Sequence, residues 1–314
     1  MAGRDHRQST AGRLVTFALI VLGLFGTAYA IGERLPGHSH TGTTSSDGHT
    51  HTHSTAGGDM ASMDGMSHDH SGGGDAIALT TSSDTSNGYT LIEEPGTPIV
   101  PCPSAGCHAT STFHLTAPDG STVTSYDWAH GAYLHVVMVS PDLTRFEHVH
   151  PDIRPDGTWV LTAPDDNEWH VVLESTPTGA TTPVIVTSHV AAKDAGSTTP
   201  AADLPSLNST ATVTAADGTR FVVDLRTTDT GLQFTITTST GAPAEGLEAY
   251  LEQPAHLVAF RVDDLAYAHI HPTSEIGNPV ITYTGALPSG TTYRLFLQFM
   301  YRGEVLTAPY TFAT

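Results

Sequence analysis

The chain contains one pattern twice. At a constant spacing of 121 residues, Phe113 matches Phe234, Thr116 matches Thr237, Gly120 matches Gly241, His135 matches His256 and Val137 matches Val258. The register holds through Asp142 and Asp263, His148 and His269, His150 and His271, and Pro151 and Pro272. A duplicated unit of this size constrains the fold more than any other feature, because both copies must adopt the same topology. At 314 residues the chain has room for two ordinary domains plus tails.

Each copy is written in short strand-like runs. The first carries FHLTA, LHVVMVS, RFEHVH, TWVLTA, WHVVLES and TPVIVTSHV; the second carries ATVTAA, RFVVDLR, LQFTITT, HLVAFRV, AYAHIH, VITYTG, TYRLFLQFM and APYTF. Pro, Asp and Gly turns separate them, and only 14% of residues are charged. This spacing predicts an all-β protein: two tandem Ig-like antiparallel β-sandwich domains, over 76–193 and 209–314, joined by a polar linker at 194–208. Upstream, GYTLIEE resembles the TRFVVDL strand once an insertion is allowed in the first copy.

The duplicated histidines lie on a hairpin. In His135-VVMVS-PDLT-RFEHVHP, a Pro-Asp turn joins two strands. If Ser140 faces Arg145, Val137 pairs with His148 and His135 with His150. Residues two apart share a strand face, so His135, His148 and His150 project together. The second copy brings His256, His269 and His271 together by the same register. Cross-strand neighbours at ~4.5–5.5 Å let imidazoles converge on one ion. A lone histidine on such a face reads as structural; a trio kept in both copies, while most surrounding positions have drifted, reads as a metal site. His130 could add a further ligand in the first copy, where the second has Leu251. His108, His114, His170 and His189 have no counterpart and read as structural.

The ends set the compartment. Arg4, Arg7 and Arg13 (tail 1–13) precede an apolar run, 14–32, close to the span of a bilayer core. The basic flank keeps the tail in the cytoplasm and puts the rest outside, as a single-pass membrane protein. Ala28-Tyr29-Ala30 leaves open secretion after cleavage near Ala30. Residues 33–75 have almost nothing to pack and read as a disordered His/Met-rich linker. It holds His38, His40, His49, His51, His53, Met60, Met63, Met66, His68 and His70. Imidazole with thioether on an oxidising tether points to copper ahead of zinc. Cys102 and Cys107 fall in the insertion of the first copy, where an exported chain favours a disulfide between them over a thiolate metal ligand. The net charge of −20, from 32 acidic and 12 basic residues, argues against a nucleic-acid partner.

The stretch from His130 through HVVMVSPDLTRFEHVHP resembles the signature of YtkA-like extracellular β domains. The second copy, His256-LVAFRVDDLAYAHIHP followed by TYRLFLQF, is similar to the second half of membrane-anchored actinobacterial envelope proteins. The resemblance spans nearly all of residues 85–314 and implies an association with copper or other heavy metals. The cysteine insertion departs from that pattern.

Three functions follow from these readings. The first is a non-enzymatic module that buffers, delivers or senses copper, or alternatively zinc, at the outer face, with a transporter or sensor as partner. The second is a structural or adhesive Ig-like pair with incidental histidines. The third is a superoxide-dismutase-like copper enzyme, suggested by His148-Val149-His150 but lacking a bridging histidine and the downstream zinc ligands.

Overall fold

A computed structural model describes residues 76–94, 110–164, 168–190 and 204–314. The tail, the apolar run, the His/Met tether and the Cys102–Cys107 insertion with His108 lie outside the described residues. Those that are described form strands and turns, with no helix among them.

The first copy contributes β1 (Thr85–Ser86), β2 (Tyr89–Glu93), β3 (Thr110–Thr116), β4 (Leu134–Val139), β5 (Phe146–Val149), β6 (Trp159–Thr162), β7 (Trp169–Ser175) and β8 (Val184–Val190). The second contributes β9 (Thr210–Thr214), β10 (Arg220–Thr228), β11 (Gly231–Thr238), β12 (Leu247–Glu248), β13 (His256–Arg261), β14 (Tyr267–Ile270), β15 (Val280–Thr284), β16 (Thr292–Tyr301) and β17 (Glu304–Ala313). Among the described residues all strand pairs are antiparallel, in four sheets ordered β1-β2-β3-β6, β5-β4-β7-β8, β9-β10-β11-β15 and β14-β13-β16-β17, with β12 added beside β16. The duplication is therefore visible strand by strand, two sheets to each copy.

Within a copy the two sheets share one core. In the first, Phe113, Leu115, Trp159 and Leu161 from one sheet meet Val136, Met138, Val171 and Val186 from the other. In the second, Phe221, Phe234 and Tyr283 meet Leu257, Leu295 and Tyr310. Alternation along the strands puts these side chains on the inner faces.

The opposite faces of the β4 and β13 sheets are also apolar, and they cover each other. Val137, Val139 and Val172 form one buried cluster with Val258, Phe260, Tyr267 and Phe296. This explains why β4 is buried at all six positions and β13 at its first five. Phe146 stacks on Phe296 at 4.3 Å, and Arg294 Nε donates to the Leu143 carbonyl at 2.9 Å. Residues 76–80 cross to the second copy. There Ile77 is part of its core, and Thr80 and Tyr267 exchange backbone hydrogen bonds at 2.8 Å.

Candidate metal centre

The hairpin register matches the one expected from sequence: Val137 opposes His148, Val258 opposes His269, and Ser140 N–H donates to Arg145 O at 3.1 Å. Each trio consequently gathers its nitrogens. One ligand atom from each of His135, His148 and His150, and likewise from His256, His269 and His271, lies within 4.8 Å of the others.

Carbonyl oxygens only accept, so His135 Nε2 donates to Ala129 O at 3.1 Å and His256 Nε2 donates to Tyr250 O at 3.0 Å. Ala129 and Tyr250 occupy equivalent tight turns, closed by reciprocal backbone bonds to Ala132 and to Gln253. Both central residues of each turn have positive φ: His130 and Gly131 in the first, Leu251 and Glu252 in the second. These are the mirror-image turns that suit the twist of paired strands.

The other nitrogens are fixed from across the interface. His148 Nδ1 donates to Oε1 of Gln298 at 2.9 Å, and His269 Nδ1 donates to Oε2 of Glu174 at 3.1 Å. Glu174 stands beside His135 on β7 and Gln298 beside His256 on β16. Each copy thus supplies the residue that orients the other copy's histidine.

A neutral imidazole that donates from one nitrogen offers a lone pair at the other. His135 Nδ1 faces His148 Nε2 at 3.2 Å, and His256 Nδ1 faces His269 Nε2 at 2.8 Å, lone pair to lone pair where both rings are neutral. Such contacts are repulsive unless a cation lies between them. In the second trio a proton does not serve at neutral pH, because burial, reinforced by neighbouring imidazoles, drives both His256 and His269 far below the usual histidine range; the same causes lower His148. Burial also lowers His150 to about 4. Imidazole nitrogens suit zinc and copper, so these facing pairs could ligate such an ion. The third imidazole, His150, places Nε2 3.2 Å from His148 Nε2. Either trio could hold a metal ion.

The trios lie against each other. The His148 and His269 rings are 5.3 Å apart, and those of His135 and His269 are 5.4 Å apart. His130 does not complete the first trio; its ring lies 3.9 Å from that of His271 and 6.4 Å from that of His135. With Glu174, His269 and His271 it lines a cavity of about 90 Å³ beside the second trio.

His114 stands apart on β3, its Nδ1 2.8 Å from Glu94, and His170 pairs with His189 across β7 and β8. Glu174, Gln298 and the two turn carbonyls are the functional groups that sequence reasoning missed. A signal existed for two of them, since Glu174 and Gln298 each interrupt an apolar strand, in VVLES and LFLQFM. Their spacing is 124 residues, so a comparison at 121 does not align them.

No curated protein matches the chain. Residues 212–314, which hold the second trio and Gln298, match the model of a domain of unknown function, DUF8832.

Proposed function

We propose that this is an extracytoplasmic metal-binding protein, not an enzyme, that buffers, delivers or senses copper, with zinc as the alternative ion. The observation that carries the reading is the pair of facing ring nitrogens in each trio, held in place by carbonyl and side-chain acceptors on the outer nitrogens. Orienting partners of this kind are typical of histidines that bind metals. The preference for copper rests on the His/Met tether, which would collect ions at high effective concentration beside the folded centre. The apolar run at 14–32 would anchor the chain, with the two Ig-like sandwiches outside. The likeness to YtkA-like domains points the same way.

The test is metal analysis of the full-length protein with the tether histidines and methionines replaced by serine. It should retain up to two equivalents of copper or zinc. The loss of both in a His148→Ala/His150→Ala/His269→Ala/His271→Ala variant supports the reading. A parent that binds nothing above background removes it, leaving a structural Ig-like pair with incidental histidines.

A further inference from the structure

The two trios repeat almost every detail: hairpin register, turn carbonyl, facing nitrogens and a cross-interface acceptor. They differ in the charge of that acceptor. His269 donates to the carboxylate of Glu174, which also accepts from the Tyr267 hydroxyl at 3.2 Å. His148 donates to the neutral amide of Gln298, whose Nε2 donates to Thr307 Oγ1 at 3.3 Å.

Charge matters here because the centre is buried. The His269 side chain is 1% exposed and Glu174 18%, while His256 is fully buried. A divalent ion with three neutral imidazoles carries its whole charge into that interior, which is costly unless an anion compensates it. Glu174 supplies the anion to the second trio. Through the Nδ1–H it also raises the electron density at His269 Nε2, making it the better ligand. Gln298 does neither for the first trio. Because rings of opposite trios approach to 5.3 Å, an ion in one site also opposes entry of the next.

We propose that the six histidines form one two-ion centre that fills in a set order, with His256/His269/His271 taking the first divalent cation and His135/His148/His150 the second. This rests on the metal-binding reading above. Glu174 and Gln298 are the positioning residues that set the order.

The probe is Zn²⁺, titrated against a chromophoric chelator into the full-length protein with the tether ligands replaced by serine. His150→Ala leaves the second trio complete and His271→Ala leaves the first. The His150→Ala protein should bind Zn²⁺ at least about tenfold more tightly, the lower end of the usual effect of an orienting partner. Adding Glu174→Gln should weaken it by about 10–100-fold, while Gln298→Glu added to His271→Ala should tighten that site by a similar factor. The gain is the decisive arm, because a merely structural role for these residues would not produce it. With both trios intact, Glu174→Gln should weaken the first Zn²⁺ step and bring the two steps together, a readout that survives if a single-trio variant fails to fold. Equal or reversed affinities, or an unchanged first step in Glu174→Gln, overturn the order while leaving metal binding standing. No Zn²⁺ uptake by the parent removes the metal reading itself.

Discussion

At the scale of single residues, the centre depends on imidazoles kept neutral by burial. His150 is lowered to about 4, first by burial and then by the neighbouring His135. His170, outside the centre, is lowered to about 4 by burial and then by His189, and both its ring nitrogens are buried without a hydrogen-bond partner. In the unfolded chain these groups titrate near 6.5. Between that value and about 4 the unfolded state binds protons that the folded state refuses, so stability falls as the pH is lowered through this window and levels off below it. Each group contributes up to about 3 kcal/mol to that fall, at about 1.4 kcal/mol per tenfold difference in proton affinity. Urea unfolding of the metal-free protein should therefore have a clearly lower midpoint at pH 4.5 than at pH 7.5. His170→Leu should reduce the difference without touching the trios. A midpoint that does not change with pH would show that the imidazoles are not held neutral.

At the scale of elements, the hairpins and the turns before them divide the work. The hairpins place three imidazoles on one face, which follows from strand periodicity. The turns fix which nitrogen is free, by aiming Ala129 O and Tyr250 O at the outer nitrogens of His135 and His256. The two turns also touch. A Cβ on Gly131, whose φ is +80°, would lie 2.7 Å from Leu251 Cα. Gly131→Ala should thus destabilise the protein by about 1–3 kcal/mol, from strain and the clash together. It should also weaken metal binding, because it displaces the turn that orients His135. Thermal unfolding and a Zn²⁺ titration of the one variant check both, and a wild-type melting temperature would contradict the packing of turn on turn.

At the scale of the molecule, the centre is a product of the interface. Each copy orients the other's histidine, so on the proposed reading an ion should bind the assembled pair more tightly than the separated copies. Metal should therefore stabilise the whole unit: at a free concentration one hundred times Kd, one site adds about 2.7 kcal/mol. A chelator should reverse this, and in calorimetry both copies should move together. Stabilisation confined to one of two resolved transitions would mean that the copies bind independently. What the sequence determined by itself was local: the strands, the hairpin register and the membership of each trio, because these follow from side-chain alternation and turn chemistry over about sixteen residues. It also left marks of the interface that were harder to read, in strands apolar on both faces and in Glu174 and Gln298 interrupting such strands. Only the tertiary structure decided that the trios face each other, that His130 leans on His271, and that Glu174 serves His269. Those relations depend on how two sheet faces cover one another, and strand periodicity marks a face as buried without naming what buries it.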